Sequence, residues 1–260
     1  MQRVSLPPVV LIIAGNDPSG GAGLAADIQA VTALGAHPAP VVAALTVQDT
    51  RDVSRVVALE PELVSEQAQR VLEDLPVAAV KLGLLASATV GHAVAELLRR
   101  HPRLPLVVDP VLRASGGGAL VEDALLQVYL HELFPLATLI TPNADEGRRL
   151  APDAVDTVAR AEALLKTGAA YVLMKGADEA TPEVHNTLFG AGARQDFSWP
   201  RLPGAYHGSG CTLASAIAAL LARGDALPAA VDKAQRYTWE ALRDGWRLGK
   251  GQSIPNRGRR

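Results

Sequence analysis

Several groups of residues have types and spacings suited to chemistry on an anion. His207-Gly208-Ser209-Gly210-Cys211-Thr212 leads into an apolar helical run, LASAIAALLARG. Two glycines free the backbone to turn, and the following helix aims its first N–H groups and positive dipole end at one point. That is an anion hole suited to the charge arising in phosphoryl or acyl transfer. Cys211 stands at the helix start, where thiol pKa values tend to fall; it reads equally well as a small buried hydrophobe. A second Gly-rich turn, Gly15-Asn16-Asp17-Pro18-Ser19-Gly20-Gly21-Ala22-Gly23, joins an apolar strand to a helix. It leaves backbone N–H groups free for an anion or polar ligand, or simply packs closely. Gly21, Gly23 and Ala26 satisfy G-x-G-x-x-[GA], but the five residues Asn16 to Gly20 intervene, whereas a dinucleotide fingerprint turns straight from its strand. No G-x-x-x-x-G-K-[ST] sequence occurs.

Charged residues closing apolar runs supply the rest. Asp109 ends LVVD, which is awkward without a cationic or metal partner. Lys175-Gly176 follows VLM, so Lys175 is a phosphate contact or a snorkelling edge residue. In Thr141-Pro142-Asn143-Ala144-Asp145-Glu146, Asn143 and Glu146 stand three apart and point the same way at a helix start. They suit water-mediated Mg²⁺ binding, and equally a capping box; both readings can hold together. His37, His92, His101, His131 and His185 show no metal-ligand spacing, and the single cysteine excludes an intrachain disulfide.

The elements that must position these residues alternate. VVLIIAG from Val9, PVVAALT from Pro40, VAAVKLG from Val77, LPLVVDP from Leu104, LATLIT from Leu136 and AYVLMKG from Ala170 read as strands buried on both faces. Helices are expected at Pro61–Asp74, opened by a proline and acidic residues, and at Ser87–Arg100, with Ser87 as N-cap. A small antiparallel pair is expected within Val184 to Trp199. This alternation predicts an α/β fold, a mainly parallel sheet with helices on both faces, whose ligand site lies off the carboxyl ends of the strands. Asp17, Gln48, Gly83, Asp109, Asn143 and Lys175 follow successive strands there. The 260 residues show no internal repeat and read as a single domain, 1–260, with a turn-rich and partly mobile tail at 249–260. A net charge of −2 carries no basic stripe, which argues against a nucleic-acid partner. No run reaches membrane-helix length, and VVLIIAG lacks a cleavage site behind it, so the expectation is a cytoplasmic protein.

In order along nearly the whole chain stand GNDPSGGAGLAADIQAVTALG, AALTVQDT, VKLGLL, VVDPV, LITPNADE, VLMKG and HGSGCTLASAIAA. Together they resemble the hydroxymethylpyrimidine and phosphomethylpyrimidine kinases of thiamine biosynthesis, in the ribokinase-like superfamily. The resemblance implies a three-layer α/β/α sandwich and ATP- and Mg²⁺-dependent phosphorylation of 4-amino-5-hydroxymethyl-2-methylpyrimidine, then of its monophosphate. It places Gly15, Asp17, Asp27, Gln48 and Leu84 at the pyrimidine, with the Gln48 amide on the aminopyrimidine edge. It places Asp109, Asn143, Lys175, Gly208, Ser209 and Gly210 at the ATP phosphates, with Glu146 on Mg²⁺ through water and Asp109 as a further metal candidate. Cys211, Gly208, Gly210 and Lys175 become the catalytic set, Cys211 standing where related sugar kinases carry an aspartate base. Relatives in this group are often dimers. The chain departs from the family pattern at Leu202–Tyr206, Ala177-Asp178, Leu84 and Arg113–Gly117. A pyridoxal kinase of the same superfamily, and a catalytically silent pyrimidine-binding regulator, are the alternatives.

Overall fold

Strand β1 (Val9–Asn16) is buried along almost its whole length, and its side chains divide strictly by parity. Val10, Ile12 and Ala14 point into one apolar core, Leu11 and Ile13 into another, the period-two pattern of a strand packed on both faces. The computed structural model describes residues 6–112 and 123–258; the departure at Arg113–Gly117 lies outside the described residues.

One nine-stranded sheet carries the order β3-β2-β1-β4-β5-β6-β7-β8-β9. Strands β2 (His37–Gln48), β1, β4 (Val77–Leu82), β5 (Leu106–Val108), β6 (Leu139–Ile140) and β7 (Tyr171–Met174) run parallel. Strand β3 (Val53–Ala58) closes one edge, and β8 (Glu183–Gly190) with β9 (Ala193–Pro200) the other, all antiparallel. The six expected strands and the small pair are therefore present, and β3 is an addition. Helices α1 (Gly23–Ala33), α7 (Ser209–Ala222) and α8 (Leu227–Arg243) cover one face. On the other lie α2 (Pro61–Asp74), α3 (Ala88–Arg99), α4 (Asp123–Val128), α5 (Ala144–Leu150) and α6 (Thr157–Leu165). The result is the three-layer α/β/α sandwich expected.

Local chemistry explains the helix ends. Pro61 opens α2, Ser87 caps α3 by accepting from the Val90 amide, and Asn143 with Glu146 completes a capping box on α5. Helix α7 is buried throughout Thr212–Leu220; its many alanines let it lie close on the centre of the sheet. Strand order reverses between β1 and β4, the switch point where such sheets open a crevice at their carboxyl ends. Among the described residues no helix is long and apolar enough to cross a membrane.

The tail packs back onto the molecule. Ser253 bridges to Tyr206, Ile254 to Trp246, and Arg257 is fully buried. Through Arg257 the end of the chain reaches the carboxyl-end loops.

Candidate active site

A cavity of about 550 Å³ opens at the carboxyl ends of β1, β2, β4, β5, β6 and β7. It is lined by every expected site residue except one. Gly15, Asp17, Gln48 and Leu84 line it with His207; Asp109, Asn143, Glu146 and Lys175 line it with Gly208, Ser209, Gly210 and Cys211. The exception is Asp27, expected at the ring. It points into the core, fully buried, where Lys81 Nζ donates to both carboxylate oxygens at 2.8 and 2.7 Å and Ser215 Oγ donates at 2.7 Å. Position along the chain put Asp27 near the first turn, but the inward face of α1 carries it away from the ligand space.

The first turn is organised around the Asp17 carboxylate. It accepts from the Ser19 amide at 2.8 Å, the Ala22 amide at 2.7 Å and Ser19 Oγ at 3.0 Å. His207 Nε2 lies 2.8 Å from Asp17 Oδ2, and Gln48 Nε2 lies 3.0 Å from the same ring nitrogen. Burial would raise Asp17, but hydrogen bonds from His207, Ser19 and Ala22 outweigh it and lower its pKa.

The two glycine loops are pressed together. Gly208 has φ +72°, and a Cβ there would collide with the Gly21 carbonyl; a Cβ on Gly21 would collide with the His207 ring. Arg257 fastens the junction from behind, donating to Thr212 Oγ1 at 2.8 Å and to the carbonyls of Gly21 and His207.

At the other end of the cavity Lys175 Nζ donates to Asp109 Oδ1 at 2.9 Å, and Thr141 Oγ1 donates to the same oxygen at 3.0 Å. A Cβ on Gly210 would stand 3.1 Å from Lys175 Nζ, so the ammonium sits against the first turn of α7 and its unpaired N–H groups. Burial alone would raise Asp109; Lys175 and Lys81 hold it below the usual carboxylate range. Glu146 differs. Burial pushes it up to about 7 with help from Asp109, although Lys175 opposes the shift. Glu146 Oε2 accepts from the Asn143 amide at 2.8 Å, while Asn143 Oδ1 accepts from the Glu146 amide at 2.8 Å. The cap and a cavity-facing carboxylate thus coexist.

Cys211 does not show the lowered pKa expected of a helix start. Burial, with Asp27 and Asp109 nearby, pushes the thiol up to about 11, and Lys81 and the Gly23 amide offset this only in part.

Sequence reasoning missed five participants. His207 lay inside the anion-hole motif without a role. Lys81 interrupts an apolar strand, the same signal that singled out Asp109. Arg257, in a segment of turn composition, gave no signal. On α8, Gln235 and Thr238 line the cavity with an amide nitrogen and a hydroxyl that have no partner among the described residues; Gln235 Oε1 already accepts from Asn186 and Trp199.

A mixed polar cleft with a paired lysine, an acidic pair and a glycine-flanked helix start, set on this fold, defines a small-molecule phosphotransferase. The family model described as phosphomethylpyrimidine kinase matches residues 17–256, and the chain belongs to that family. It is 41% identical over 252 residues to a hydroxymethylpyrimidine/phosphomethylpyrimidine kinase of Mycobacterium bovis, with 94% of this chain and 92% of the relative covered. It is 41% identical to the thiamine biosynthesis bifunctional protein ThiED of Geobacter sulfurreducens over 95% of this chain, and spans 51% of that longer protein. Among solved structures, phosphomethylpyrimidine kinase from Clostridium difficile is 33% identical with TM-score 0.79, covering 90% of this chain and 99% of that one. Pyridoxal kinase from Staphylococcus aureus in complex with AMP-PCP and pyridoxal is 25% identical with TM-score 0.88, covering 98% and 94%.

Proposed function

We propose that this kinase transfers the γ-phosphoryl group of ATP to the hydroxyl of 4-amino-5-hydroxymethyl-2-methylpyrimidine, and then phosphorylates the resulting monophosphate. One observation carries the reading: the 207–211 loop touches both ends of the cavity. Its His207 meets Gln48 at 3.0 Å, while its Gly210 backs onto the Lys175 ammonium. A ring held at Gln48 and Leu84 therefore presents its hydroxymethyl group towards the anion-binding end.

Phosphoryl transfer depends chiefly on positioning and on neutralising charge around the transferred group. Lys175 and the N–H groups at Ser209, Gly210 and Cys211 supply positive potential there. Asp109 holds Lys175 in place. Asp109 and Glu146 face a single ammonium, Lys175, and the Glu146 pKa is raised chiefly by burial, with Asp109 adding to it. This donor set fits Mg²⁺ held by one or two carboxylates, water and phosphate oxygens. Such an ion would neutralise phosphate charge, with Glu146 reaching it through water and Asp109 beside it. The Gln235 amide nitrogen and Thr238 hydroxyl, unpartnered among the described residues, offer polar contacts to a nucleotide base at the far end. A thiol pushed up to about 11 carries its proton at neutral pH, so Cys211 serves the anion hole rather than acting as a thiolate base.

The test is an ATP-consumption assay with three acceptors side by side. Turnover with the pyrimidine alcohol and its monophosphate, each exceeding pyridoxal at least ~10-fold in kcat/KM, is expected; a tenfold ratio needs about 1.4 kcal/mol of differential binding. Preference for pyridoxal would replace this reading with the pyridoxal kinase one, and ligand binding without ATP consumption would favour the silent regulator.

A further inference from the structure

The hydrogen-bond chain from Asp17 to Gln48 has a polarity that its geometry fixes. Asp17 Oδ2 already accepts from the Ala22 amide and Ser19 Oγ, so that oxygen is an acceptor facing His207 Nε2 across 2.8 Å. Two acceptors cannot share that line, so the imidazole hydrogen resides on Nε2 and is directed at Asp17. The other ring nitrogen agrees. His207 Nδ1 is buried without a partner among the described residues, and an orphaned N–H is rarer in protein interiors than an unfilled lone pair. The ring has no freedom to choose otherwise, being packed on Gly21, and the His207 amide donates to the Ser253 carbonyl at 2.9 Å.

An Nε2 that carries its hydrogen has no lone pair to receive a second donor. The Gln48 atom 3.0 Å from it is therefore the amide oxygen, with the NH₂ turned away, since the two ends of an amide exchange by a half-turn of the same shape, and that oxygen shares the one Nε2 hydrogen with Asp17 in a three-centre bond. The oxygen keeps one lone pair for a ligand, and the NH₂ keeps its donors.

We propose that Asp17 and His207 act as a positioning relay that fixes the sense in which Gln48 presents its donor–acceptor edge. The ligand class so selected has a ring nitrogen beside an exocyclic amine, the amine meeting Oε1 and the ring nitrogen meeting the NH₂. A freely turning amide would present the reverse order equally often and would discriminate less against rings lacking the amine. This inference rests on the reading of Gln48 as the ring contact, and neither Asp17 nor His207 needs to touch the reacting atoms.

Steady-state kinetics on the full chain test it, using the aminopyrimidine alcohol and its analogue without the 4-amino group. His207→Leu keeps bulk and removes the donor; His207→Gln keeps a donor in the Nε2 position. His207→Leu is expected to raise KM for the aminopyrimidine ~10-fold, the loss of about one oriented hydrogen bond. Its preference over the desamino analogue should fall equally, with kcat and the KM for ATP within threefold. His207→Gln should regain most of the preference. Asp17→Asn should repeat the loss, which keeps the test decisive if His207→Leu folds poorly. In a Gln48→Ala background, His207→Leu should add less than a twofold change. Independent, multiplying losses in that double variant would overturn the relay alone, as would a fall in kcat with the preference intact. A Gln48→Ala variant whose preference is unchanged would overturn the ring-contact reading, and the relay with it.

Discussion

At the scale of single residues, electrostatic environment decides what each functional group can do. Cys211 shows this best. A helix start favours a thiolate, yet burial and two nearby carboxylates outweigh the dipole and push the thiol up to about 11. Alkylation by iodoacetamide should therefore be slow at pH 7–8 and rise roughly tenfold per pH unit towards 11. The native state holds this proton more tightly than the unfolded chain does. Stability should accordingly decline from about pH 9 as the unfolded thiol ionises first, and Cys211→Ala should remove that part of the decline, while the raised Tyr129, Tyr237, Lys81 and Lys175 add theirs above about pH 10. An alkylation rate that levels off near pH 8 would sink the assignment. Asp109 and Lys175 were legible in the sequence because a charge that closes an apolar strand needs a partner, and each proved to be the other's. Lys81 carried the same signal and found Asp27. What the sequence hid was direction: nothing in the order of residues tells that Asp27 faces inward, or that His207 turns back to Asp17 and Gln48.

At the scale of elements, strong local chemistry made the secondary structure readable, and weak chemistry concealed it. Helices α2 and α3 lie where their proline and serine signals placed them, and the six parallel strands follow their apolar runs. Strand β3 was missed because only Val53 and Val56 are half-buried and the rest is exposed, so it has no run to detect. The attachment of the tail was hidden for a different reason. Turn composition describes its backbone, while its attachment depends on one side chain, Arg257, reaching carbonyls far away in sequence. That guanidinium ties α7 to both glycine loops, and its loss leaves buried carbonyls unpaired at a cost of about 1–3 kcal/mol each. Arg257→Met preserves the stem and removes the donors. We expect it to lower stability by roughly 2–4 kcal/mol in urea and to raise KM for both substrates, because both ends of the cavity share the loosened loop. A rise confined to one substrate would mean that the two loops move independently.

At the scale of the whole molecule, the layers meet in a buried ion pair that stability alone does not explain. Asp27 on α1, Lys81 on β4 and Ser215 on α7 join the upper layer to the sheet, with both charges fully shielded from water. Desolvating two ions costs several kcal/mol each, and an apolar pair of similar volume is often as stable or more so. Removing one partner is a different matter, since it strands a charge. Asp27→Asn should cost about 3–5 kcal/mol by urea unfolding. The double change Asp27→Leu with Lys81→Met should restore most of that loss. Catalysis should not follow stability back. Lys81 lines the cavity, and its charge lowers Asp109 beside Lys175, so the restored apolar protein should still fall at least ~10-fold in kcat, about 1.4 kcal/mol of lost transition-state stabilisation. A double variant as unstable as Asp27→Asn would show that the pair is kept for the fold. One that recovers both stability and kcat would show that the field of Lys81 does not reach the chemistry.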